Sequence, residues 1–137
     1  QILKKNFFVE KIMPMAVKHP LAEEVMDHYR EALPTGQRRI GAAEFPRQLI
    51  DASLWLGDLS DEVQDKLRNV PLLLTWGLHD LAFPRQYMDR FREDFVRSQV
   101  CRLDAKHYIQ EDSPVEISAA IKDFLGSIPS TTSLASQ

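Results

Sequence analysis

The sequence predicts an α/β fold whose parallel sheet is incomplete. Three observations carry this. Val70-Pro71-Leu72-Leu73-Leu74-Thr75-Trp76, closed by Gly77, is apolar without alternation, the signature of a strand buried on both faces of a parallel sheet. From there on the pattern runs strand, helix, strand, helix, the unit of an open α/β sheet. Ahead of it, residues 1–69 read as helical or irregular and contain no strand.

In chain order, Gln1 to Met13 places Ile2, Leu3, Phe7, Phe8, Val9 and Ile12 at mixed spacing, which reads as a helix and a short connection. Leu21 to Leu33 is a clearer helix. Pro20 stands where a first-turn proline is tolerated, and Glu23 and Glu24 suit the positive N-terminal end. Pro34-Thr35-Gly36 stops it. Gly36 to Ser60 reads as irregular, with a short helix at Phe45 to Ile50. Leu59 to Leu67 reads as a helix capped by Ser60 or Asp58.

After the apolar strand, Pro84 to Phe95 is amphipathic, with Tyr87, Met88, Phe91 and Phe95 on one side. Gln99 to Leu103 is a second short strand. Ser113 to Leu125 is a final helix with Ser113 as N-cap, Pro114 at the first position and Glu116 at the capping-box position. Its buried face would be Ile117, Ala120, Ile121, Phe124 and Leu125. The organisation expected is therefore a helical region at 1–69, a sheet region at 70–126 and a Ser/Thr-rich, disordered tail at 127–137. Two strands do not make an independent sheet, so the sequence wants more sheet than it contains.

Bulk properties narrow the function. The 137 residues carry a formal net charge of -3 with both signs mixed, which argues against nucleic acid and against a polybasic membrane surface. Cys101 stands alone, so neither an intrachain disulfide nor a cysteine metal cluster can form, in keeping with a reducing, cytoplasmic setting. No apolar run approaches the ~20 residues of a membrane span. Gln1 to Asn6 lacks the features of a secretory leader and reads as the middle of a domain.

Active sites of open α/β sheets gather at the carboxyl ends of the strands. Asp80 lies four residues after Trp76, and His107 lies four residues after Leu103. One strand–helix unit separates them, so both loops open on the same edge. An Asp that orients a His, which then acts on a nucleophile or water, is the logic of a catalytic triad. Singly, such an Asp is usually a turn former and such a His a surface or packing residue. Their paired placement is what favours chemistry. Trp76 reads as core, Trp55 as packing between the two regions, and Cys101 as a buried strand residue. His79 is expected to point away, and His28 and Tyr29 to serve surface and packing. Glu111 and Asp112 read as caps of the final helix.

Several segments resemble the haloalkane dehalogenases of the α/β-hydrolase superfamily. His107-Tyr108-Ile109-Gln110-Glu111-Asp112-Ser113-Pro114 looks like their catalytic-histidine segment. Met26-Asp27-His28-Tyr29-Arg30-Glu31 resembles their cap helix, Asn6 to Glu10 and Met13-Pro14 their cap entrance, and Val70-Pro71 to Gly77 their penultimate strand. The likeness runs from about residue 2 to residue 125 without large gaps.

The resemblance implies the C-terminal portion of an α/β-hydrolase fold: residues 1–69 a helical cap, 70–126 the last two strands with their helices. It implies an aspartate nucleophile that displaces halide to leave an ester, which a His-activated water hydrolyses. His107 would match the base and Asp80 the triad acid, while Leu81 and Phe83 would line the substrate pocket. The nucleophile and halide-binding residues fall before Gln1 in the family order, so an N-terminal half is the partner implied, with a homo-oligomer also compatible. Lys106 departs from the Gly common at that position. No cofactor or metal is implied, and the substrate would be a small hydrophobic haloalkane. The β-lactone decarboxylases of olefin biosynthesis share this catalytic set. An epoxide hydrolase would need two cap tyrosines, and only Tyr29 is available. A non-catalytic fragment or subunit is the remaining alternative.

Overall fold

The computed structural model describes residues 2–129. The first half is helical, as expected, but differently divided. Helix α1 (Ile2–Lys5) ends at Asn6, which adopts the left-handed region at φ 48°. Asn tolerates that region better than most side chains. Here its Nδ2 donates to the Leu33 carbonyl at 3.4 Å, and its own carbonyl accepts the Glu10 N–H at 2.9 Å. A π-helical segment, Phe8–Ile12, then leads directly into α2 (Met13–Ala16). The expected short connection is a kink inside a helical run.

Helix α3 (Glu23–Ala32) begins after Ala22, so Pro20 lies outside it and is not its first-turn proline. Glu23 and Glu24 occupy its first turn. Met26 packs with Val9 and Met13 in a small core that Leu21, Tyr29, Leu33 and Tyr108 border. Arg30 locks this arrangement by bonding Glu10, Glu23 and Asp27 together.

The largest correction concerns residues 40–67. Two helices occupy them, α4 (Ile40–Asp51) and α5 (Ser53–Leu67), joined at Ala52. Pro46 sits inside α4. A proline there removes one backbone hydrogen bond, yet the helix runs through it and well beyond the Phe45–Ile50 stretch that the sequence suggested. Asp58 and Ser60 are interior residues of α5 rather than its caps. Neither helix has a buried residue, and Ile50, Leu54 and Trp55 are largely exposed.

The second half follows the expected alternation. Strand β1 (Leu72–Gly77) and strand β2 (Ser98–Leu103) are parallel, in register from Leu72 with Ser98 to Gly77 with Leu103. Parallel neighbours need a crossover, and α6 (Arg85–Asp94) makes it. Met88 of α6 is fully buried, with Leu74, Phe95, Leu103 and Ala105 also in the interior. Tyr87 and Phe91, expected on the same apolar side, are about half exposed. Cys101 is partly buried on β2.

A one-turn helix, α7 (Ile109–Asp112), precedes α8 (Pro114–Ser127). Ser113 is the N-cap residue of α8, but its side chain makes no capping hydrogen bond. Ile117, Ala120 and Phe124 are partly buried, whereas Ile121 and Leu125 face outward. Helix α8 runs through Ser127, the first residue of the stretch expected to be disordered, and residues 130–137 of that stretch lie outside the described residues. Among the described residues, no helix is long and apolar enough to cross a membrane.

Candidate active site

Gly77 determines how closely the two strand-exit loops approach. A Cβ there would lie 2.3 Å from the Lys106 carbonyl oxygen and 2.8 Å from that of Ala105. No real side chain fits such space, so only glycine lets the loop after β2 cross the end of β1. Pairing then continues past the strands. The Leu78 N–H donates to Leu103 O and the His79 N–H to Ala105 O, each at 2.9 Å.

Within this frame the structure brings Asp80 and His107 together. His107 Nδ1 and Asp80 Oδ2 are 2.9 Å apart, and the Asp80 side chain is only 8% exposed. Asp80 does both things its position suggested. Its Oδ1 accepts the N–H groups of Ala82 at 2.8 Å and Phe83 at 3.0 Å, building the turn, while Oδ2 faces the imidazole. Burial pushes its carboxyl up. The Phe83 N–H, the His107 ring and the Ala82 N–H outweigh that, so its pKa lies below the ordinary value. The Asp80 carboxylate is therefore held charged beside the ring.

Trp76 supports the same loop from the end of β1, donating from Nε1 to the Phe83 carbonyl at 3.0 Å. Phe83 in turn packs on the His107 ring, with centroids 5.3 Å apart, and Tyr108 meets that ring edge-on at 5.4 Å. His107 Nδ1 is engaged by Asp80, which leaves Nε2 as the nitrogen free to act.

The Asp80–His107 pair opens on a cavity of about 450 Å³. Leu81 and Phe83 line it, and Leu81 is 95% exposed. Phe8, Ile12, Met15 and Phe45 also line it. Sequence reasoning missed these four. Phe8 and Ile12 stand four apart, a spacing that hinted at one face, but only the fold shows what the face covers. His79 also borders the cavity, yet its Nε2 is paired with Asp104 Oδ1 at 2.9 Å, away from His107. Lys18 shares that Asp104 and lowers its pKa. Trp55 does not line the cavity and is 62% exposed on α5.

Glu111 and Asp112 do not cap α8. Glu111 accepts the Tyr29 hydroxyl at 2.5 Å, and Asp112 accepts the backbone N–H groups of Lys18 and Lys106, each at 2.8 Å. A carboxylate near a helix start is expected to serve that start; here partners from distant segments compete successfully. Burial raises the pKa of the Tyr29 hydroxyl, and its bond to Glu111 raises it further; Tyr108 is raised by burial alone.

Parallel strands that deliver an Asp and a His from adjacent exit loops, beneath helices that wall a cavity, define part of an α/β-hydrolase. Solved structures agree. Haloalkane dehalogenase DbeA from Bradyrhizobium elkani superposes with a TM-score of 0.80 at 26% identity, covering 91% of this chain and 45% of that one. A putative ancestral haloalkane dehalogenase gives 0.77 at 29% identity, covering 92% and 47%.

In sequence, haloalkane dehalogenase 2 of Mycobacterium tuberculosis (strain ATCC 25618 / H37Rv) is 41% identical over 127 residues, 91% of this chain and 44% of the relative. The haloalkane dehalogenase of Sphingobium indicum is 32% identical over 137 residues, covering 90% and 43%. No family model matches. The chain thus resembles haloalkane dehalogenases in both sequence and fold, and it spans a little under half the length of the curated relatives it matches.

Proposed function

We propose that this chain supplies the base and orienting acid of a hydrolase that cleaves carbon–halogen bonds. The carrying observation is the 2.9 Å Asp80–His107 contact on the wall of the cavity, in a chain 41% identical to a haloalkane dehalogenase. In this reading residues 1–69 are the cap and residues 70–126 the C-terminal part of the catalytic core. An aspartate nucleophile and the halide-binding side chains come from an N-terminal half of the fold.

The nucleophile's carboxylate oxygen attacks the halogen-bearing carbon, an ester C–O bond forms, and halide leaves. Water then adds to the ester carbonyl while His107 Nε2 takes its proton. The tetrahedral intermediate collapses, the alkoxide takes that proton from His107 and departs as the alcohol, and the carboxyl group loses the remaining water proton to solvent, which restores the carboxylate. Asp80 holds the imidazole in the tautomer that exposes Nε2 and stabilises imidazolium as it forms. Leu81 and Phe83 give the substrate an apolar surface, which suits a small haloalkane. Tyr29, the cap tyrosine an epoxide hydrolase would require, bonds Glu111 and does not line the cavity, so it lends that alternative no support.

The test pairs this chain with a nucleophile-bearing N-terminal half of a similar dehalogenase. The pair should release halide from a bromoalkane. With His107→Ala, mass spectrometry should find the alkylated nucleophile accumulating while turnover stops. Unchanged turnover without adduct would mean His107 is not the base.

A further inference from the structure

Between the end of β2 and the start of α7 the chain has no regular structure, so the base stands on a loop. Its ring is held by Asp80, but the backbone that carries the ring needs partners of its own. Asp112, five residues on, supplies one. Its Oδ2 accepts the N–H of Lys106, the residue immediately before His107, at 2.8 Å. Its Oδ1 accepts the N–H of Lys18, in the stretch that leaves α2, also at 2.8 Å.

The same two segments meet in three further contacts, one of them the Lys18–Asp104 ion pair. The Tyr108 N–H donates to Ala16 O at 3.2 Å, and Lys106 Nζ to Met15 O at 3.1 Å. The residues on either side of His107 are thus tied to residues 15–18, and Asp112 bridges the two strands of that tie with one rigid group. Hydrogen bonds from backbone N–H to a carboxylate are about twice as strong as neutral ones.

We propose that Asp112 is a positioning residue for the His107 base, setting the peptide ahead of the ring and registering it against residues 15–18. This rests on reading His107 as the base. Because that base acts only in ester hydrolysis, Asp112 governs the second half-reaction and leaves the first alone.

The test uses the chain assembled with a nucleophile-bearing N-terminal half, with rapid-quench mass spectrometry following the ester formed from a short bromoalkane. In Asp112→Asn one acceptor becomes an N–H donor facing another donor. Ester formation should stay within about twofold, while hydrolysis slows roughly 10- to 100-fold, the scale of a small misplacement of a catalytic group. The ester should therefore accumulate.

Tyr29→Phe breaks the nearby Glu111 bond without touching Lys106 and should leave hydrolysis within about twofold. A merely structural Asp112 would lower both steps together by reducing the active fraction, and that outcome overturns the proposal. Should the Asn variant fail to assemble, Asp112→Glu decides: its longer arm should slow hydrolysis selectively, and an equal loss in both steps again overturns it. His107→Ala in the same assembly separates the two readings. If it fails to trap the ester, the base assignment falls. If it traps the ester while the Asp112 variants do not slow hydrolysis, only the present inference falls.

Discussion

The strand–helix half and the α4–α5 pair hold similar kinds of residue but use them oppositely. Met88 of α6 and Leu103 of β2 lie within the interior, and the loops beyond the strands carry Asp80 and His107. In α4 and α5 no residue is buried, and Ile50, Leu54 and Trp55 stand largely free. Among the described residues these helices give the cavity a single wall residue, Phe45. Hydrophobic composition is therefore a poor guide to where stability and chemistry reside. What counts is whether the element packs against others, as α6 and the strands do and as the helices around Val9, Met13 and Met26 do, while α4 and α5 bury no residue.

If that contrast is right, the largest effect belongs to the Asp80–His107 pair. Asp80→Asn, in the chain assembled with a nucleophile-bearing half, should depress ester hydrolysis by about 10⁴, the loss seen when a triad carboxylate becomes an amide and the imidazole takes the wrong tautomer. Steady-state halide release would measure it, and a change below tenfold would break the comparison at its strongest point.

Gly77→Ala should come next. Its methyl would meet two backbone oxygens that cannot step aside as a flexible side chain would. Overpacking of this kind costs about 1–3 kcal/mol or more. Denaturant unfolding should show the loss, and hydrolysis should fall with it because the two exit loops are pushed apart.

Truncations then contrast the two regions directly. Met88→Ala should cost about 2–5 kcal/mol, as for other fully buried Met residues. Trp55→Ala should stay within about 0.5 kcal/mol, as exposed positions do. Equal losses at the two positions would show that α5 is covered in solution by something that seats on Trp55.

The smallest expected effect is acid sensitivity at Asp80. Its folded pKa is lowered, so the stability it contributes is present above the ordinary carboxylate value and is lost as pH falls through the folded value. Stability measured from pH 6 downward should begin to lose this contribution below about 4, the ordinary Asp range. Asp80→Asn should flatten that part of the profile.

Much of the second half was legible because its signals are local. An unalternating apolar run ended by Gly marks β1, and Ser113-Pro114 marks the start of α8 to within a residue. The first half misled where local signals competed. Only Phe45 to Ile50 read as a helix in the stretch before Leu59, yet α4 runs from Ile40 through Pro46 to Asp51. Ser60 and Asp58 looked like caps, yet α5 starts at Ser53. At the site, strand-end placement was enough to nominate Asp80 and His107. The cavity wall of Phe8, Ile12, Met15 and Phe45 was not legible, because it joins residues far apart in the chain and carries no polar signature.

By itself, then, the sequence determined the two strands, the crossover helix between them and the two exit loops, since each depends on residue types within a dozen positions. Only the tertiary structure decided what the remaining polar groups do. Glu111 and Asp112 sit where a helix start would claim them, and both turn instead to partners more than 80 positions away, Tyr29 and the Lys18 backbone. The physical reason is that a buried or half-buried N–H or hydroxyl must find an acceptor, and which acceptor stands within 3 Å is known only once distant segments have packed.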